Sequence, residues 1–196
     1  MKIARTPEQE AERVARLHQL GILDTLPDAA FDAITELAAQ VCEAPVALIS
    51  LIDTDRQWFK SRLGLQATET ARDFAFCAHA ILAPDTVMEV PDAHEDERFR
   101  DNPLVLGEPR IRYYAGAPIV TADGFALGTV CVIDHEARRL SPRRLRARPQ
   151  AGRPPRLGRQ GLGRLRRSHR PRHDGGPGRE PAPHRRLVTA PGGASG

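Results

Sequence analysis

PVALISLID, Pro45 to Asp53, is a run of aliphatic and β-branched residues interrupted by one polar side chain, Ser50. A strand with one wet face alternates apolar and polar residues, so a run without alternation reads as a central strand covered on both sides. The short turn Asp53-Thr54-Asp55 follows, and RQWFKSRLG, residues 56–64, then alternates as far as Gly64. The two segments predict a hairpin, with Trp58 and Lys60 on one face of its second strand and Phe59 on the other.

On the amino-terminal side, Thr6-Pro7-Glu8 has the pattern of a helix start, a side-chain cap before proline with acids in the first turn. Val14, Leu17 and Leu20 carry the apolar stripe toward Ile22, and Gly21 suits the left-handed residue that closes a helix. Asp28 opens a second helix whose expected stripe is Phe31, Ile34, Leu37, Ala38 and Val41.

On the carboxyl side, FAFCAHAIL predicts a short helix over the sheet, and TVMEV, Thr86 to Val90, a strand. A polar loop, PDAHEDERFRDNP, precedes IRYYAGAPIVT and FALGTVCVID, two strands joined through Ala122-Asp123-Gly124, where Asp-Gly between apolar runs signals a hairpin. The order of elements is that of an α+β domain around an antiparallel sheet.

The 196 residues divide by charge. Through Leu140 there are 14 Lys and Arg against 23 Asp and Glu, a net of −9; from Ser141 there are 15 Arg against 2 acids, a net of +13. The first part holds every aromatic residue and all three cysteines, whereas the last 56 residues hold 9 Pro and 10 Gly and almost nothing that could build a core. The expectation is a globular domain over 1–140 and an unstructured basic tail over 141–196. That tail has no lysine and no aromatic for stacking, and its Arg, Pro, Gly and His content is what a GC-rich gene yields when read out of frame. It reads as a frameshifted terminus, and nucleic acid is not an expected partner. No apolar run approaches the roughly 20 residues of a membrane span, and the amino terminus lacks a signal peptide's apolar core, so a cytoplasmic protein without a membrane partner is expected. Three cysteines in no paired spacing fit a reducing compartment.

LGILDTLPDAAFDAITELA, VALISLIDTDRQWFKSRLGL, ETARDFAFCAHAI, VPDAHEDERFRDNPLV and RIRYYAGAPIVTADGFALGTVCVID, five blocks in order from about Leu17 to Leu140, resemble the GAF domains of bacterial sensor histidine kinases and diguanylate cyclases. The resemblance implies a six-stranded antiparallel sheet with helices on one face and a small-molecule pocket on the other. It implies sensing in signal transduction, without catalysis and without a cofactor. Family members continue after the domain into an amphipathic helix leading to an output domain. Here Pro149, Pro154 and Pro155 would break such a helix, so a kinase or cyclase output would be a separate protein.

Within this frame Cys77-Ala78-His79 needs a role. Residues two apart on a helix point about 200° apart, so thiol and imidazole cannot form a nucleophile–base pair within it. Zinc would need further ligands such as Asp92 and His94 folded back on the pair, and no metal is expected from this spacing. The bilin-carrying GAF domains of phytochromes have an adjacent Cys-His pair elsewhere in the domain, and the intervening alanine speaks against a bilin. Cys77 and His79 are therefore read as lining or packing.

Arg112 and Tyr114 share a strand face, where an arginine could fork onto an anionic ligand and a tyrosine could stack on a ring. Equally, Arg112 could pair with Asp92, or with an acid among residues 95–97, and pin the loop. Trp58 could be a ligand platform or core. The long loop 91–103 is the expected lid.

The expected pocket set is thus Trp58, Cys77, His79, Asp92, Arg112 and Tyr114, with an unidentified anionic or aromatic small molecule as partner. The alternatives are a thiol-dependent reductase resembling free methionine sulfoxide reductases, which would need a nucleophilic and a resolving cysteine within reach across the pocket, whereas Cys42 and Cys131 read as buried in a helix and a strand, and a ligand-free module that dimerises through its first helix.

Overall fold

The computed structural model describes residues 1–141, and the expectations for the basic tail fall almost wholly outside them. The elements run α1 (Glu10–Gln19), α2 (Ala29–Cys42), β1 (Val46–Ile52), β2 (Arg56–Leu63), β3 (Glu69–Ala71), a 3-10 turn (Arg72–Phe74), α3 (Phe76–Ala80), β4 (Met88–Val90), α4 (Pro103–Leu106), β5 (Tyr113–Val120) and β6 (Ala126–Asp134). The strands form one antiparallel sheet in the order β3-β2-β1-β6-β5-β4. β1 lies at its centre and is buried at all seven positions, as the unbroken apolar run predicts.

Val46, Leu48 and Ile52 belong to the cluster formed with Phe76, Cys77, Phe99, Val105 and Tyr114, beneath α3 and α4. Ala47 packs instead with Ala39 of α2, and Leu51 with Leu17 of α1. Helices therefore cover both faces: the long α1 and α2 one, the short α3 and α4 with their loops the other. No helix among the described residues is long and apolar enough to cross a membrane.

A bulge decides which β2 residues reach which face. The register shifts between Ile49 and Ser50, so that Ser61 faces Ile49, Phe59 faces Ser50 and Lys60 is the extra residue. Lys60 reaches Thr25 Oγ1 and the Leu26 carbonyl, both at 2.8 Å, and Ser61 accepts a hydrogen bond from Thr35 of α2 at 2.8 Å. Trp58 joins them on the helical face, packed with Leu17, Leu51 and Leu127. Phe59 turns to the other face, as the alternation predicts.

Two helix expectations need correction. α1 begins at Glu10 behind Gln9, which gives no side-chain cap, so Thr6 does not start it. In place of a helical first turn, Lys2 N donates to the Arg98 carbonyl at 3.0 Å and Ala4 packs onto the α3-side core. In α2, capped by Asp28 Oδ1 on Ala30 N at 2.8 Å, the expected stripe is rotated. Ile34, Leu37 and Val41 are 44%, 59% and 40% exposed, while the buried positions are Thr35 and Ala39. Small residues let the helix lie close to the sheet, and the Thr35–Ser61 bond rewards that approach, so the bulkier row turns outward. Gly21 does close α1 at φ 59°, where a side chain would be strained.

Candidate functional site

The α3 face has a polar floor in an otherwise apolar core. Ser50 on β1 and Thr129 on β6 are register partners, and Cys131 lies two residues beyond Thr129 on the same face. Above them α3 lowers Cys77. Thr129 Oγ1 donates to Cys77 Sγ at 3.1 Å and Tyr114 Oη at 3.3 Å, while Cys131 Sγ lies 3.8 Å away. Ser50 Oγ is buried beside the same sulfur. All five side chains are at most 2% exposed.

Burial pushes the Cys77 thiol up, but Cys131, Ser50, Thr129 and Tyr114 turned on its sulfur outweigh that and bring it down to about 7. Cys131 moves the other way, because its hydrogen bond to Cys77 and its own burial hold its proton. Burial, and then the neighbouring Cys77, likewise push the Tyr114 phenol up.

Aromatic rings form the roof. Phe76 of α3 stacks on Phe99 with centroids 3.8 Å apart, and Tyr114 tilts against Phe76 at 5.3 Å. His79 meets Phe99 edge-on at 4.9 Å and points outward. Its Nε2 lies 3.0 Å from the Lys2 carbonyl, which can only accept, so Nε2 carries the proton. The loop expected to be a lid is tied at several points. Arg112 forks onto Asp92, Arg98 onto Asp96, and the buried Asn102 both caps α4 at Leu104 N and donates to the Phe74 carbonyl at 3.0 Å.

Of the six residues expected to line a pocket, Cys77 and Tyr114 meet at the floor and His79 stands at the roof's edge. Asp92 and Arg112 pair with each other at the base of the loop, so the guanidinium fork is already filled by a carboxylate. Trp58 lies across the sheet, in the core against α1. Cys77 and His79 point apart, as their spacing requires. Ser50, Thr129 and Cys131 were absent from the expected set. Their signal was the placing of small polar residues at alternate positions inside otherwise apolar central strands.

Outside this face, an open cleft of about 550 Å³ runs between the amino-terminal segment, α1 and residues 72–78; Glu10, Thr54, Arg72 and Ala78 are among its walls. Arg72 is already engaged there, bonded to Glu10 Oε1 at 2.5 Å and to the Asp53 carbonyl at 2.9 Å.

The GAF domain family model matches residues 26–147. A cyclic di-GMP phosphodiesterase of Pseudomonas aeruginosa is 52% identical over 132 residues, which is 67% of this chain and 22% of that protein. The chain thus spans about a fifth of the length of this relative. Similar solved structures include the GAF domain of an Acinetobacter phosphoenolpyruvate-protein phosphotransferase, at 14% identity over 70% of this chain and 84% of that one, with a TM-score of 0.48. A type II free methionine-R-sulfoxide reductase from Thermoplasma acidophilum is 11% identical over 59% of this chain and 79% of its own, also with a TM-score of 0.48.

Proposed function

Because the chain belongs to the GAF domain family, we propose that residues 1–141 are a small-molecule-sensing module that regulates the turnover of cyclic di-GMP. The observation that carries this reading is the 52% identity over 132 residues with a cyclic di-GMP phosphodiesterase, of which the match occupies 22%. A segment of that size leaves most of the relative for catalysis, and this reading gives the segment that corresponds to this chain the sensing role. The proposal sets the module in the cytoplasm, where cyclic dinucleotides are made and degraded.

For a ligand to reach the floor of Ser50, Thr129 and Tyr114, α3 would lift, because Phe76 and Cys77 pack directly on that floor. Hydroxyls at the floor and rings above suit a compact neutral molecule with hydrogen-bond acceptors and a flat apolar part. An anion would find the nearest arginines, Arg98 and Arg112, already forked onto Asp96 and Asp92.

The test is a chimera of the Pseudomonas phosphodiesterase in which this chain's residues 1–141 replace the matching segment. Cyclic di-GMP hydrolysis is measured while a panel of neutral and anionic metabolites is added. The reading expects a neutral metabolite to change the rate, and Ser50→Ala or Thr129→Val to shift the half-effective concentration about tenfold, the effect of losing one buried hydrogen bond. A chimera with normal hydrolysis that responds to no metabolite, with none retained by the protein in native mass spectrometry, overturns it.

A further inference from the structure

The five-residue helix α3 brings a cysteine onto a second cysteine 54 positions away in the chain. At 3.8 Å the two sulfurs are in van der Waals contact, and a disulfide needs them at about 2.05 Å. Forming the bond would draw α3 toward β6. Cys42, the third cysteine, lies on α2 and packs with the opposite face, so the sheet separates it from both. We infer that Cys77 and Cys131 form a redox-convertible dithiol, which hydroperoxides oxidise to an intrachain disulfide fastening α3 to β6.

The environment suits the roles. Cys77 receives the hydroxyls of Thr129 and Tyr114, which stabilise a thiolate, and the Cys131 sulfur stands 3.8 Å from it. The Cys77 thiolate attacks one oxygen of the hydroperoxide. The O–O bond breaks, the second oxygen leaves as water or alcohol with a proton, and Cys77 becomes a sulfenic acid. Cys131 sulfur then attacks Cys77 sulfur and releases its proton. The S–S bond forms, the S–O bond breaks, and hydroxide leaves with that proton as water. Two thiols lose two electrons and one peroxide gains them; a dithiol reductant reverses the change.

Access comes from outside α3. The open cleft reaches Ala78, the residue next to Cys77, and α3 begins without a side-chain cap to hold its first turn. Four of its five side chains are buried, so the peroxide reaches the sulfur only when this short helix opens from the cleft side. Once formed, the bond takes the sulfur away from Tyr114 and Thr129 and locks the roof to the floor, so oxidation also changes the face on which a ligand would sit.

The experiment uses the full chain. It is treated with hydrogen peroxide, unfolded, alkylated and mapped by mass spectrometry. The expected result is a fall in free thiols from three per chain to one, Cys42, with the Cys77 and Cys131 peptides recovered as one species lighter by two hydrogens and separated again by dithiothreitol. In Cys131→Ser the sulfenic acid has no partner and is captured at Cys77 by dimedone. The wild-type map stands even if that variant fails to fold. Full alkylation of Cys77 and Cys131 at a peroxide dose that oxidises Cys42, or linkage through Cys42 or between chains, overturns the proposal.

Discussion

Arg112 holds Asp92 by two parallel hydrogen bonds, Nε to Oδ1 at 3.0 Å and Nη2 to Oδ2 at 2.6 Å. Around this pair, Ala93 N donates to the Arg112 carbonyl at 2.7 Å and Arg112 N to that of Asp134 at 2.9 Å. The fork thus joins the start of the 91–103 loop to the segment entering β5. It is a structural clasp at the site where an anion clamp was one of the two expectations.

Arg112→Ala is expected to lower the melting temperature and raise amide exchange across residues 91–103. Arg112→Lys should recover only part of the loss, since an ammonium cannot fork. The hydrogen bond from Arg112 lowers the Asp92 carboxyl below its ordinary 3.8. Its contribution is therefore complete above that value and is lost as pH falls through the folded-state pKa. Melting curves between pH 2.5 and 5 should show a steeper acid loss for wild type than for Arg112→Ala; parallel curves would remove the clasp from the acid limb.

His79 gives a second limb of opposite chemistry and the same direction. Burial lowers its imidazole below 6.5, ahead of the Lys2 carbonyl, which acts the other way. The unfolded chain binds this proton first as pH falls, so stability is full above about 6.5 and declines below it. His79→Gln keeps a donor for the Lys2 carbonyl and removes the titration. Its melting temperature should change less than that of wild type between pH 7.5 and 5.5, with equal slopes counting against a role for His79.

Gly116 and Tyr114 are two apart on β5, and a Cβ at Gly116 would run into the Tyr114 hydroxyl and ring. Gly116→Ala should cost about 1–3 kcal/mol through overpacking. Because the displaced hydroxyl is one of the donors on Cys77, the same variant should slow alkylation of Cys77 at neutral pH relative to Cys42. Chemical denaturation and timed iodoacetamide labelling read the two effects separately.

Trp58 and Leu37 test which apolar residues are core. Trp58, 8% exposed, fills the space between α1 and the sheet, and Trp58→Ala should cost about 3–5 kcal/mol. Leu37 is 59% exposed, and Leu37→Ser should remain within about 0.5 kcal/mol of wild type. A large loss at Leu37 in dilute monomeric protein would restore the stripe read from periodicity.

The sequence by itself determined the elements whose signals are local. Pro45 to Asp53 reads as a covered strand because every residue in it is driven from water. Asp28 starts a helix and Gly21 ends one through their own backbone groups. Asp123-Gly124 turns the chain between β5 and β6, and Cys77 and His79 diverge because a helix turns about 100° per residue. Five ordered blocks carried the family resemblance for the same reason: each block is a contiguous piece of chain.

Tertiary structure decided what depends on which segments meet. Whether Ile34 or Thr35 faces the sheet turned on how closely α2 could approach Ser61. Which face each β2 residue reaches was set by one bulge at Lys60. Arg112 met Asp92, and not a ligand, because the loop returns its first residues to the entry of β5. Cys131, read alone, was a buried strand residue, and it became a partner for Cys77 only when α3 folded onto β6. Periodicity records the preference of each side chain for water or core, whereas contacts between distant segments depend on register, approach distance and loop closure, which no short stretch encodes.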